Sequence, residues 1–259
     1  MSSGPSLSHQ VATTIVVPCY NEERRLPVSA FEEFLRDPRT QGISFLFVND
    51  GSKDNTQSIL EGMQKAFPDR VGVLHQVPNR GKAEAVRNGM LQVIAEGKSA
   101  ITGFWDADLA TPLDQIEPLL ANVLTQPDVD MVFGSRVKLL GRHIERQPLR
   151  HYLGRIFATA ASAVLRLPIY DTQCGAKLFR VSPVLSKVLA EPFQSRWIFD
   201  VEIVARYIGA YGGDPANLRD KIVEYPLMCW RDVAGSKLTP MDFVKAFGEL
   251  IAIRQRYLA

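Results

Sequence analysis

The sequence predicts an α/β domain with a mostly parallel central sheet covered by helices on both faces. Short β-branched and aromatic runs recur through the first half of the chain, and segments with helical apolar spacing lie between them. The chemically unusual residues fall where those runs end. Strands that alternate with helices build parallel sheets, and ligands of such sheets bind beyond the carboxyl ends of the strands. A chain of 259 residues with 46% hydrophobic and 22% charged residues is too apolar for disorder and too mixed for a fibre. Its length suits one large domain, or one domain with an extension.

Thr13–Pro18 reads as the first strand and Ile43–Val48 as the second, followed by Val71–Val77, Ala100–Trp105 and Asp130–Gly134. Phe45, Phe47 and Phe104 read as strand interior. Asp54-Asn55-Thr56 opens a helix carrying Ile59, Leu60, Met63 and Phe67. Gly81 opens another, with Ala83, Val86, Met90, Val93 and Ile94 on one face. Thr111-Pro112 opens a third, with proline at the first helical position.

Beyond residue 135 the pattern changes. Between Arg136 and Arg166 lie seven cations (Arg136, Lys138, Arg142, Arg146, Arg150, Arg155, Arg166) and one acid, Glu145, a net +6 in a chain of net +2. The basic excess is therefore local, and a pI near 8.4 is too mild to indicate a nucleic-acid partner. Ile156–Leu165 reads as a short apolar helix, either core, an element dipping into a lipid monolayer, or a dimer face. Met241–Tyr257 closes the chain as an amphipathic stretch. Three dispersed cysteines without a Cys-x-x-Cys exclude a disulfide framework and a zinc ribbon, and fit a reducing compartment. Met1–Gln10 has no cationic start or apolar run, and no stretch is long and apolar enough to span a bilayer. The expectation is a cytoplasmic chain, soluble or lying on the inner face of a membrane.

The sharpest motif is Trp105-Asp106-Ala107-Asp108 at the end of the fourth strand. On extended backbone, residues i and i+2 face the same way, so two hard carboxylates converge on one spot. Such a pair suits Mg²⁺ or Mn²⁺ held jointly with a substrate's phosphates. A calcium loop does not fit, because Ala110 and Thr111 stand where a ligand and the turn glycine belong. The first strand ends in Pro18-Cys19-Tyr20-Asn21-Glu22-Glu23 rather than the Gly-x-Gly-x-x-Gly of a dinucleotide fold, and the second ends in Asn49-Asp50-Gly51-Ser52. Asp50 there can accept hydrogen bonds from a base or ribose. Asn79-Arg80-Gly81-Lys82 leads into a helix, where a cation near a helix start attracts phosphate or base carbonyls. Gln76 and Ala83 replace the first glycine and the Ser/Thr of a phosphate-binding Walker loop.

Together these segments resemble the inverting GT-A glycosyltransferases of family two, and within them the dolichyl-phosphate and polyprenyl-phosphate β-glucosyltransferases. The shared motifs are Pro18–Glu23, Val48–Ser52, Asn79–Lys82, Asp106–Asp108 and Gly134–Arg136. Gln173–Phe179 and Trp197–Glu202 resemble the glucosyl branch more than the mannosyl one. Leu109 departs from the pattern, since eukaryotic members tend to have glycine there. The resemblance implies a catalytic domain over 13–237, with a donor-binding half (13–135) and an acceptor half (136–237), between a flexible N-terminus (1–12) and a C-terminal amphipathic helix (238–259).

By that resemblance Pro18, Tyr20, Glu22 and Asp50 line a base and ribose pocket, with Asn21 and Ser52 in the same set and Lys82 beside the base. Asp106 and Asp108, around Ala107, hold ribose and the metal. Arg136 neighbours the diphosphate or the acceptor phosphate. Trp230-Arg231 through Gly235-Ser236-Lys237 looks like a phosphate-gripping loop. The implied reaction is inverting transfer of glucose from UDP-glucose to a polyprenyl phosphate, with Mg²⁺ or Mn²⁺, at a membrane surface. If a general base exists, Asp171 and Asp200 are the candidates, and each equally suits a buried, paired structural carboxylate. A soluble hydroxyl or glycan acceptor, a GDP-mannose donor, and a non-catalytic sugar-nucleotide-binding module stay open.

Overall fold

The structure, a computed structural model, describes residues 11–233 and 240–258. In chain order the elements are β1 (Thr13–Cys19), α1 (Val28–Arg36), β2 (Ile43–Asn49), α2 (Thr56–Ala66), β3 (Val71–His75), α3 (Lys82–Glu96), β4 (Ile101–Trp105), α4 (Ile116–Thr125), β5 (Met131–Ser135), β6 (His143–Glu145), α5 (Pro148–Leu165), β7 (Ala176–Arg180), α6 (Pro183–Leu189), α7 (Phe199–Ala210), β8 (Ile222–Pro226), β9 (Cys229–Arg231) and α8 (Pro240–Tyr257).

Seven strands form one sheet in the order β3-β2-β1-β4-β7-β5-β8, and β6 pairs with β9 in a small second sheet. The pairs β1–β2, β1–β4, β2–β3 and β5–β8 are parallel. Alternate side chains enter opposite cores, as the two-residue period of a strand requires. Ile15, Val17, Phe45 and Phe47 meet α1, α2 and α4, while Val16, Leu46 and Val48 meet α3. Phe31 of α1 stands edge-on to Phe45 and Phe47 at 5.2 and 5.1 Å. Burial on both faces is why these strands read as near-continuous apolar runs.

Four details differ from the sequence-based expectation. The third strand ends at His75, ahead of Pro78, which has no N–H for a ladder. Pro112 sits in extended backbone outside the helix, and Leu113–Gln115 make a 3-10 turn before α4 begins. The helix expected over 156–165 begins eight residues earlier. The C-terminal helix is part of the main core, through Ala246, Leu250 and Ile253. Among the described residues, no helix is long and apolar enough to cross a membrane.

The feature that builds the site is β7, which runs antiparallel between β4 and β5. It pairs Trp105 with Ala176, so the turn before β7 lies beside the residues that follow β4. Close approach requires glycine at Gly103: a Cβ there would stand 2.0 Å from the Lys177 carbonyl oxygen. Gly103→Ala must push β7 away from β4, and overpacking against backbone of this severity costs roughly 3 kcal/mol. Urea unfolding should show a midpoint lowered accordingly, and coincident curves for the two proteins would exclude the tight β4–β7 contact.

Candidate active site

A cleft of about 210 Å³ opens at the carboxyl ends of β1, β2 and β4. Pro18, Tyr20, Glu22, Asp50, Lys82, Asp106, Ala107 and Asp108 all line it, as do Cys19 and Arg25. A larger groove of about 630 Å³ lies between α1 and the Leu113 turn, but it shares only Asp108 with the cleft. The smaller cleft collects the acids and cations, and it is the candidate site. Drug-sized ligands fill about 300 Å³ or more, so it holds part of a large substrate and leaves the rest on its open side.

Local hydrogen bonds set its walls. Asp50 is buried, and its carboxylate accepts from Gln76 Nε2 at 2.6 Å, the Arg80 N–H at 2.8 Å and the Gly81 N–H at 2.7 Å. It thereby anchors the loop that starts α3, a scaffolding role not visible in the sequence. Asn21 and Ser52 do not line the cleft. The Ser52 hydroxyl accepts from the Asn21 N–H, and the Asn21 side chain accepts from the Lys53 N–H, so both join the β1 and β2 loops. Asn21 takes a φ of 54°, a left-handed conformation that asparagine tolerates.

Asp106 and Asp108 both reach the cleft, but from a turn rather than from extended strand. The Leu109 N–H donates to the Asp106 carbonyl, and the Ala110 N–H to Asp108 Oδ1. Leu109 adopts a φ of 49°, backbone that glycine enters without steric cost. A glycine at that position therefore has a backbone reason. The Asp106 N–H donates to the Gly175 carbonyl at 2.9 Å, and a Cβ on Gly175 would lie 1.9 Å from Asp106 Oδ2. Gly175 is there because the carboxylate occupies that space.

Lys82 Nζ meets Asp106 Oδ1 at 2.5 Å. Removal from water disfavours the ammonium, but Asp106 and, farther off, Asp200 outweigh that and hold its pKa above the ordinary value. Asp108 has no direct ion pair among the described residues, and burial followed by the charge of Asp106 raises its pKa. Arg25 is a cleft cation that motif reading missed. It pairs with Glu22 Oε1 at 2.5 Å and lies within the field of both aspartates. The signal was the three-residue spacing of acid and arginine in Glu22-Glu23-Arg24-Arg25.

Those two aspartates fit a divalent cation. They are hard oxygen donors, and the raised Asp108 pKa marks negative charge that a cation would relieve. Among the described residues, no group of three or more His, Cys, Asp or Glu is placed to hold a metal ion by itself. Further ligands to such an ion would come from water or a substrate.

Toward β5, Arg136 grips Asp171 through Nε at 2.6 Å and Nη2 at 2.7 Å, and its guanidinium lies 5.3 Å from the Trp230 ring centre. Burial alone would raise the Asp171 pKa, but Arg136 holds it well below the carboxylate range. A carboxylate so stabilised, with both oxygens engaged, is a poor proton acceptor, and the pairing suits a structural anion better than a general base. Asp200 pairs with Lys177 at 2.6 Å, and both side chains are buried. Burial raises the Asp200 pKa against the opposing charge of Lys177. Lys177 also donates to the Cys174 carbonyl, pinning the turn that carries Gly175. Arg146 lies near Arg136, and burial and that neighbour push its pKa down to about 10. Arg231 is exposed and pairs with Glu145, while its N–H donates to the Ala110 carbonyl and brings β9 beside the aspartate turn. Ser236 and Lys237 lie outside the described residues, as does the side chain of Arg150.

Two stability measurements follow. Asp200→Asn strands a buried ammonium and should cost about 3–5 kcal/mol, whereas Lys177→Met combined with Asp200→Leu should recover most of it. If urea unfolding of Asp200→Asn shifts no more than a surface substitution does, the buried pair is wrong. The depressed Asp171 pKa makes a contribution fully present above about pH 4 and lost as pH falls below it. Asp171→Asn should therefore show its deficit at neutral pH and approach the parent protein in strong acid.

A family profile described as Glycosyl transferase family 2 matches residues 14–185. The dolichyl-phosphate β-glucosyltransferase of Drosophila melanogaster is 34% identical, over 98% of this chain and 78% of its own. The enzyme of that name from Trichomonas vaginalis is 32% identical, over 94% of this chain and 73% of its own. The GT-A fold is shared with glucosyl-3-phosphoglycerate synthase from Mycobacterium tuberculosis, solved with Mn²⁺, UDP and glucosyl-3-phosphoglycerate. That comparison gives a TM-score of 0.68 at 18% identity, covering 98% of this chain and 82% of the other. This chain belongs to glycosyl transferase family 2.

Proposed function

We propose that the chain transfers glucose from UDP-glucose, with inversion, to a dolichyl-type polyprenyl phosphate. Relatives that carry this activity in their names match nearly the whole chain. The observation that carries the acceptor is the commitment of both base candidates to ion pairs, Asp171 with Arg136 and Asp200 with Lys177. A hydroxyl acceptor needs a base to take its proton. A phosphate monoester has a second pKa near 6 and is largely dianionic at pH 7, so it needs only positioning and charge compensation.

In this reading Pro18, Tyr20 and Asp50 form the wall for base and ribose, and Lys82 and Asp106 set the depth of the cleft. Asp108 with Asp106 would hold Mg²⁺ or Mn²⁺, whose positive charge stabilises the diphosphate as a leaving group. An acceptor phosphate oxygen attacks the anomeric carbon from the face opposite the diphosphate. The new carbon–oxygen bond forms as the bond to the β-phosphate breaks, and UDP departs with the electron pair. No proton moves. In this reading Arg136, held by Asp171 and Trp230, and Arg146 would compensate the charge of the incoming phosphate.

Transfer assays with labelled UDP-glucose, detergent and a short polyprenyl phosphate test the reading. Asp108→Asn should lower turnover a hundredfold or more, the usual cost of losing one preorganised electrostatic contact, with the melting temperature retained. Chelating divalent ions should do the same. Equal turnover on simple alcohols or free sugars would overturn the phosphate acceptor, and full turnover in Asp108→Asn would overturn the site.

A further inference from the structure

Two cations line the cleft, and they are held differently. Lys82 is closed onto Asp106, whereas Arg25 meets Glu22 along a single edge of its guanidinium. Its Nε donates to Glu22 Oε2 at 3.0 Å and its Nη2 to Oε1 at 2.5 Å. That pair uses two of the five N–H donors of an arginine. Among the described residues, the donors on Nη1 meet no acceptor. The side chain is 31% exposed, so the unused edge is open to a ligand.

The turn that carries Arg25 is fixed at both ends. The Glu22 N–H donates to the Thr56 hydroxyl at 2.8 Å, the Arg25 and Leu26 N–H groups both donate to the Glu22 carbonyl, and Leu26 is buried in the core. Glu22 is itself buried, so its carboxylate sets the plane of the guanidinium. A guanidinium held along one edge presents the rest as a rigid fork, the shape that takes two oxygens of a phosphate.

Charge says what the fork is for. Around the cleft, four carboxylates (Glu22, Asp50, Asp106 and Asp108) face two cations. A divalent ion on Asp106 and Asp108 would balance that excess. A diphosphate then brings negative charge of its own, and a further cation must offset it. Both aspartates act on Arg25 through space without a hydrogen bond to it, so a diphosphate held beside them is drawn towards the same guanidinium.

We propose that Arg25 binds the diphosphate of the sugar nucleotide through Nη1 and the outer Nη2 hydrogen, with Glu22 fixing the guanidinium plane. This rests on the reading of the cleft as a nucleoside-diphosphate site and assigns a contact that neither the base, the ribose nor the metal ligands supply. It does not depend on which acceptor follows.

The test compares UDP with uridine, which has the same base and ribose and no phosphate. With Mn²⁺ present, calorimetry should show Arg25→Gln binding UDP about ten- to a hundredfold more weakly, the usual weight of a hydrogen bond to a charged group. Uridine binding, followed by ligand-detected NMR, should be unchanged. Arg25→Lys keeps the charge and a pair with Glu22 but loses the fork, so its UDP affinity should fall between the two; it carries the test if Arg25→Gln strands Glu22 and fails to fold. UDP affinity equal to the parent's in the folded variants would overturn the proposal and leave Arg25 a counter-ion for Glu22. An equal loss for UDP and uridine would also overturn it, since that marks a displaced turn. A parent chain that binds UDP no better than uridine would reject the nucleoside-diphosphate site itself, and this contact with it. UDP binding that depends on Arg25, without turnover on any lipid phosphate, would reject the acceptor reading and leave the contact intact.

Discussion

The ion pair between Lys82 and Asp106 closes one wall of the cleft, and it depends on a continuous chain of contacts through the molecule. Asp50 holds the Arg80 and Gly81 N–H groups, and so fixes where α3 begins and where Lys82 stands. Asp106 is seated on Gly175, Cys174 is tied through its carbonyl to Lys177, and Lys177 is neutralised by Asp200. Side chains from the loop after β2 and from α3, β7 and α7 thus act on one carboxylate. The fold's antiparallel β7 is what makes this geometry available, because a parallel strand would present its opposite end beside Asp106.

The same contacts sort the charges by duty. Asp171 and Asp200 face guanidinium and ammonium partners at short range and stay in the protein interior. Asp106 is shared with Lys82. Asp108 keeps the raised pKa of a carboxylate crowded by burial and a like charge. An arriving diphosphate would add negative charge at that point, which explains why the two aspartates suit a divalent ion better than a second lysine. A lysine would satisfy Asp108 permanently, whereas an ion bound jointly with the substrate supplies the charge only when the substrate brings its own.

The parallel half of the sheet was legible because strands buried on both faces read as unbroken apolar runs, and the unusual residues at their tips pointed to the cleft. Lys177 hid β7: a charged residue at the second position of Ala176–Arg180 breaks the apolar pattern, and its partner Asp200 lies on a helix whose sides are nearly all buried. That helix, α7, begins within the segment read as Trp197–Glu202, so part of the motif is scaffold: Glu202 accepts from the Gln194 and Ser195 N–H groups and from Arg206. Asn21, Ser52 and Asp50 were placed correctly at strand ends, but their duties are hydrogen bonds to backbone some thirty residues away, which no local pattern encodes. α1 escaped notice because its nine residues bury only Phe31 and Leu35.

The basic segment after β5 divides in the same way. Arg155 is engaged by the Tyr170 carbonyl and ring, and Arg136 is oriented by its pair with Asp171. Arg146 lies near Arg136 with a pKa pushed down to about 10 by burial and that like charge, against the opposing pull of Asp171 and Asp232. Asp171 already supplies one negative charge beside both guanidiniums, and in the proposed reading a dianionic acceptor phosphate adds to it. Both carboxylates on this side of the molecule are thus committed to cations, Asp171 to Arg136 and Asp200 to Lys177, and that commitment is what favours an acceptor that arrives already deprotonated.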